Sequence, residues 1–180
     1  GVIKEYLHST EGATENSYWL NPNNGRFEND LWKPLQMYVA DKNGKPCDAL
    51  IRNDSRVELV IKGDMKTIDP SLTIGYAIYS EEGLLLYWSF QTDGPEKNWP
   101  KIEKGLFTLK SEIPRRLLNE GVYRIELVGG LNDRIWLFTP GGNNPNINLS
   151  IKGGLSDSPY WTGKRPGTLA PELPWKHESI

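Results

Sequence analysis

The sequence predicts an all-β protein of the two-sheet sandwich kind. Short apolar runs alternate with polar residues at period two, Gly, Pro and Asn cluster between those runs, and no long stretch carries the apolar period of a helix. Many short strands with turns between them are the pattern of two antiparallel sheets packed face to face.

Taken in order, Gly1 to Lys33 reads as irregular and polar, apart from a helical start at Val2 to Leu7. Asn21-Pro22-Asn23-Asn24-Gly25 is a turn signal. Leu35 to Ala40 reads as a strand closed by a hairpin-type turn at Asp41-Lys42-Asn43-Gly44. Val57, Leu59 and Ile61 alternate with Glu58, Val60 and Lys62, as in a half-buried strand. Leu72 to Tyr79 follows, and Glu81-Glu82-Gly83 turns the chain into Leu84 to Thr92. Leu106 to Glu112 is a weaker strand, and Ile113 to Leu118 suggests one turn of helix stopped by Gly121. From Gly121 a strand places Tyr123, Ile125 and Leu127 on one face and Arg124 and Glu126 on the other. Ile135 to Phe138 and Ile147 to Ile151 complete the set. Ser156 to Ile180 carries Pro159, Pro166, Pro171 and Pro174 among Tyr160, Trp161 and Trp175. That proline density excludes a central strand or a helix, while the aromatics argue against free disorder. An extended arm docked on its own domain or on a partner is the expectation.

Composition narrows the function. A net charge of −2 over 180 residues gives no basic footprint for nucleic acid or anionic lipid. The lone Cys47 cannot form an intrachain disulfide, which fits a reducing compartment. No apolar run spans a bilayer and no signal peptide opens the chain. Because the chain begins with Gly1 rather than Met, it is read as part of something longer.

Catalytic chemistry is poorly supplied. His8 and His177 lie near the ends, so a Ser-His-Asp or Cys-His arrangement would need one of them carried into a cleft. One cysteine and two remote histidines lack zinc-ligand spacing, and no phosphate-binding loop is present. No metal, cofactor or catalytic residue is therefore assigned. Paired carboxylates remain the route to a glycosidase, with Asp93, Glu96, Glu103, Glu126 and Asp133 as candidates by type alone.

Aromatic and amide groups point elsewhere. A ring offers a sugar's C–H face a flat apolar partner, and Asn, Gln, Arg and carboxylate groups meet its hydroxyls. If Tyr76 and Ile78 face the core, then Gly75, Ala77 and Tyr79 face outward as a floor. If Leu86, Trp88 and Phe90 go inward, Tyr87, Ser89 and Gln91 go outward, and a slip of one residue would exchange Trp88 with Tyr87. The candidate carbohydrate-binding face is then Tyr79, Tyr87, Gln91, Arg124, Glu126 and Asn148, with Ser89 and Trp136 as further members. Tyr79 and Tyr87 are assigned stacking, and Gln91, Arg124, Glu126 and Asn148 hydroxyl bonding.

Four segments resemble the C-terminal carbohydrate-binding domain of the ATP-binding subunit of bacterial O-antigen polysaccharide ABC exporters, the Wzt type. Gly1-Val2-Ile3-Lys4-Glu5-Tyr6-Leu7 is similar to the last helix of an ABC ATPase. Ile74-Gly75-Tyr76-Ala77-Ile78-Tyr79, with Glu82-Gly83 and Leu86-Tyr87, is similar to the family's central hairpin. Leu118 with Gly121-Val122-Tyr123-Arg124-Ile125 resembles its strand entry, and Arg165-Pro166-Gly167 through Pro174-Trp175 its closing arm. Order and spacing match over most of Leu35 to Trp175, whereas His8 to Lys33 and the Asn-rich loop around Gly142 depart from the pattern.

The resemblance implies an immunoglobulin-like sandwich, residues 34–155, between an N-terminal linker of residues 1–33 and an arm of residues 156–180. It further implies a homodimer that can exchange C-terminal segments, and a cytoplasmic place beside the inner-membrane permease of a transporter whose ATPase domain lies upstream of Gly1. The ligand it implies is the non-reducing end of a lipid-linked O-antigen polysaccharide, bound without catalysis. Two alternatives stand beside it: a sandwich-fold polysaccharide hydrolase or lyase, and a purely structural dimerisation module.

Overall fold

The computed structural model describes residues 17–47, 50–161 and 163–180. The helical start at Val2 to Leu7, and His8, lie outside them. Among the described residues ten strands form two sheets, with no α-helix and a single 3-10 turn at Glu96–Asn98. The strands are β1 (Tyr18–Leu20), β2 (Trp32–Ala40), β3 (Leu50–Arg52), β4 (Val57–Met65), β5 (Leu72–Ser80), β6 (Leu85–Phe90), β7 (Gly105–Ile113), β8 (Gly121–Leu131), β9 (Ile135–Phe138) and β10 (Asn146–Lys152). The first sheet has the order β1-β2-β4-β7, and the second β3-β10-β8-β5-β6 with β9 beside the far end of β8.

Every ladder is antiparallel except β3 with β10, whose parallel register sets Leu50 against Ser150. The sandwich expected from the strand pattern is present with that one exception. Strands β1 and β3 were not foreseen, since three residues each are too few to show alternation. With β1 at Tyr18–Leu20 and β2 starting at Trp32, sheet pairing begins ahead of residue 34. The helical turn expected after Ile113 is instead an irregular turn with Arg116 at φ 54°.

Alternation decides which side chains are buried. From β4, Val57, Leu59, Ile61 and Met65 enter the core; β5 contributes Leu72, Ile74, Tyr76 and Ile78, and β8 contributes Tyr123, Ile125 and Leu127. Trp32 is buried between the layers, 5.6 Å from the Phe107 ring and 5.5 Å from the Phe138 ring, centre to centre. Gly63 makes room for this: a Cβ there would lie 2.7–2.8 Å from the Phe107 and Trp32 rings. Pro34 sits in the interior strand β2 at a register irregularity between Pro34 and Gln36, where its missing N–H is tolerated.

Tyr123 ties the sandwich to its arm. Its hydroxyl donates to the Asn119 carbonyl at 2.7 Å, with the Thr168 carbonyl also within reach at 3.2 Å. A tyrosine near the start of a sandwich strand, bonded to backbone just upstream, is the tyrosine corner of immunoglobulin-like folds. Asn119 Nδ2 donates to the Arg165 and Gly167 carbonyls, the Ala170 N–H donates to Leu117 at 2.7 Å, and Leu118 bridges to Leu169. Arg116 pairs with Asp157 and Glu172. The expected arm thus docks on its own domain as far as Glu172, beyond which Leu173 and Trp175 are exposed.

Candidate functional site

The outer face of the second sheet follows from the register. With Tyr76 and Ile78 inside, Thr73, Gly75, Ala77 and Tyr79 face out on β5, and Arg124, Glu126, Val128 and Gly130 face out on β8. On β6, Phe90 lies opposite Gly75 and Trp88 opposite Ala77, so both aromatic rings share the outer face. Asn148 lies opposite Arg124, and Trp136 opposite Gly130, on the same side.

This register corrects the expectation for β6. Trp88 and Phe90 were expected inside and are outside, and Tyr87, Ser89 and Gln91 turn the other way. The Tyr87 hydroxyl is 3.1 Å from that of Tyr76, a core residue. Burial and the neighbouring Tyr76 hold the Tyr87 phenol far above its ordinary value. Ser89 and Gln91 line a cleft of about 230 Å³ at the open edge between the sheets, with Leu59, Ile61 and Leu109. The Gln91 amide is spent on β5: Oε1 accepts from Ile74 N–H at 2.6 Å and Nε2 donates to the Leu72 carbonyl at 2.8 Å. The physical cause is a strand apolar on both faces, with Leu86 as an extra residue where the register shifts between Ile78 and Tyr79.

Two further residues face outward but are covered. Glu126 is 0% exposed; its carboxylate accepts from the Gly141 N–H at 3.1 Å and from Asn144 Nδ2 at 2.7 Å, with Arg124 Nη1 3.8 Å away. It anchors the Thr139–Asn144 loop rather than meeting hydroxyls, so the Asn-rich loop has a structural tether. Tyr79 is 8% exposed, and the Arg124 guanidinium lies 4.6 Å from its ring centre, occupying the face on which a sugar was expected to stack. Burial first, and then the adjacent Glu126 carboxylate, raise the Tyr79 phenol above its ordinary value. Of the expected set, Arg124, Asn148 and Trp136 keep accessible surface on the outer face.

The structure adds a site that the strand pattern did not reveal. At the end of the outer face occupied by Thr73, Gly130 and Trp136 is an open groove of about 580 Å³. Its walls are aromatic: the Trp88 ring centre lies 5.9 Å from that of Trp136 and 6.1 Å from that of Phe90, with interplanar angles of 74° and 83°. Trp88 and Trp136 remain 43% and 44% exposed. The floor is backbone brought close: a Cβ on Gly130 would lie 2.1 Å from the Ile135 carbonyl oxygen, so only glycine lets β9 deliver Trp136 here. Thr73 Oγ1 fixes that floor by bonding both the N–H and the carbonyl of Gly130. The polar rim is Asp93, Asn132, Asp133 and Arg134, with Arg134 paired to Asp69 at 3.0 Å.

Chemically, the groove offers flat apolar walls and exposed donors and acceptors. Among the described residues, no group of three or more His, Cys, Asp or Glu side chains is placed to hold a metal ion. No helix among them is long and apolar enough to cross a membrane.

Comparison with known proteins bears on the architecture. A solved structure of the C-terminal domain of Wzt superposes with a TM-score of 0.58, covering 96% of this chain and 95% of that one. The sandwich has the fold of the Wzt C-terminal domain. Identity with the Wzt domain is 13%, so the likeness lies in the fold and not in shared side chains. No protein-family model matches the sequence, and no curated protein matches it.

Proposed function

We propose that the chain is a non-catalytic carbohydrate-binding module that recognises lipid-linked O-antigen polysaccharide for ABC-transporter export. The observation that carries the reading is the open groove walled by Trp88, Trp136 and Phe90 on the outer face of the β-sandwich. Exposed large aromatics gathered in one concave place, with polar groups at the rim, suit a ligand with apolar faces and hydroxyl edges. The Wzt-like fold supports the export context. In this reading the non-reducing end of the polymer enters the groove, and Arg124 and Asn148 extend contacts along the same face. The domain acts as a homodimer that can exchange its C-terminal segment between subunits, beneath a transmembrane permease at the cytoplasmic side of the inner membrane. Binding at one open groove is wet and shallow, and pairing of two modules raises it through avidity.

Titration of the domain with its cognate O-antigen polysaccharide by calorimetry tests the reading, with unrelated glycans as controls. Saturable binding is expected, and Trp88→Ala and Trp136→Ala should each weaken it about tenfold or more, roughly 1.4 kcal/mol, in variants that keep a cooperative urea transition. Absence of saturable binding by the unsubstituted domain would refute it. Asp93 and Asp133 share the groove rim, which is the one observation favouring a hydrolase. Release of reducing ends from the same polysaccharide would establish that alternative instead.

A further inference from the structure

The rim chemistry of the groove sharpens the ligand class. Arg134 is the one basic residue lining it, and its Nη1 is paired with the Asp69 carboxylate, which offsets its charge. Asp93 and Asp133 line the groove without a cationic partner among the described residues. Each carboxylate uses one oxygen locally: Asp93 Oδ2 accepts from Phe90 N–H at 3.0 Å, and Asp133 Oδ2 accepts from Asn132 Nδ2 at 3.2 Å. Oδ1 of each is left for a ligand. The rings beside them meet nearly at right angles, so a group seated in the corner faces more than one π surface. Ring faces carry negative potential and attract cations, most strongly for tryptophan. Aromatic walls and carboxylates therefore favour the same sign of charge.

We propose that the Trp88–Phe90–Trp136 groove takes a sugar residue bearing a positively charged amine, such as an amino sugar whose nitrogen is not acylated. This rests on the carbohydrate-binding reading and adds the charge of the recognised residue. The ammonium group sits in the aromatic corner and donates to Asp93 and Asp133, while the ring C–H face lies on Trp136. N-acetylation removes the charge, and a uronic acid or phosphate meets like charge at the rim.

The test titrates the domain with a glucosamine trisaccharide, its fully N-acetylated form and a galacturonic acid trisaccharide. The free amine should bind about tenfold tighter than the acetylated form in low salt, and the gap should shrink as ionic strength rises. The uronic acid should bind weakest. The double variant Asp93→Asn/Asp133→Asn should bring amine and acetylated forms to similar affinity; asparagine keeps a side-chain oxygen at residue 93 to accept from the Phe90 N–H and tolerates the φ of 57° at residue 133. Equal or weaker binding of the amine, or a preference that survives the double variant, overturns the proposal. Failure of all three trisaccharides also overturns it, while the separate polysaccharide titration with Trp136→Ala decides whether the carbohydrate reading itself stands.

Discussion

Replacing Tyr123 by Phe isolates one hydroxyl at the junction of sandwich and arm. The ring is buried, at 3% exposure, and it stays in place, so packing is conserved. What goes is the bond from the hydroxyl to the Asn119 carbonyl. The Thr168 carbonyl keeps the N–H of Asn119 at 3.0 Å as a donor. A hydrogen bond contributes about 0.5–1.5 kcal/mol net, and stranding a buried acceptor costs about 1–3 kcal/mol. Tyr123→Phe should therefore destabilise the domain by about 2 kcal/mol, a fall in Tm of about 4–8 °C for a chain of this size. Urea unfolding followed by tryptophan fluorescence measures it, with the midpoint moving at constant m. A Tyr123→Phe loss below about 0.5 kcal/mol would refute the corner as the element that fixes arm to sheet.

Two further perturbations probe the frame around the groove. Glu126→Ala removes a carboxylate that satisfies Gly141 and Asn144, and should cost about 2–3 kcal/mol with faster hydrogen exchange confined to the Thr139–Asn144 loop; protection there equal to the parent domain would contradict the tether. Tyr18, Tyr79, Tyr87 and Tyr123 are all raised by burial, Tyr18 from 10.0 to about 12, so the folded state holds protons that the unfolded chain has lost. Their stabilising contribution is complete below pH 10 and lost as pH climbs through the folded values, so the urea midpoint should fall over that window and fall less steeply in Tyr18→Phe; a midpoint that does not move with pH there would contradict the burial.

Strands with one apolar face were legible in the sequence. Val57, Leu59 and Ile61 on β4, and Tyr123, Ile125 and Leu127 on β8, declare both the strand and its inward side, because a half-buried ladder has a single workable phase. The arm was legible through its prolines, whereas its route was not: Ala170 bonds Leu117, and Asn119 bonds Thr168, through backbone groups that nearly every residue carries. Strand β1 stayed hidden for a similar reason, since Tyr18 stacks on Tyr38 at 5.1 Å in a contact with no local period.

The groove was hidden because β6 is apolar on both sides, so alternation sets no phase, and an extra residue at the bulge removes what phase the turn supplied. The missing information lay across the strand pair rather than along either strand. On β5 the outward positions Gly75 and Ala77 are small and the inward positions Tyr76 and Ile78 are large. Residues directly opposite share a face and must fill it together, so small outward residues call for large partners. Phe90 opposite Gly75, Trp88 opposite Ala77 and Ser89 opposite Tyr76 satisfy that rule, and the reverse phase would set Tyr76 against bulky rings inside while leaving Gly75 and Ala77 bare. Filling the outer face sets Trp88 opposite Ala77 and packs Phe90 on the buried Ala77, Tyr79 and Val128, and Gly130 then lets Trp136 complete the wall. Volume complementarity across β5 and β6 thus places the aromatic rings in water, where a ligand can reach them.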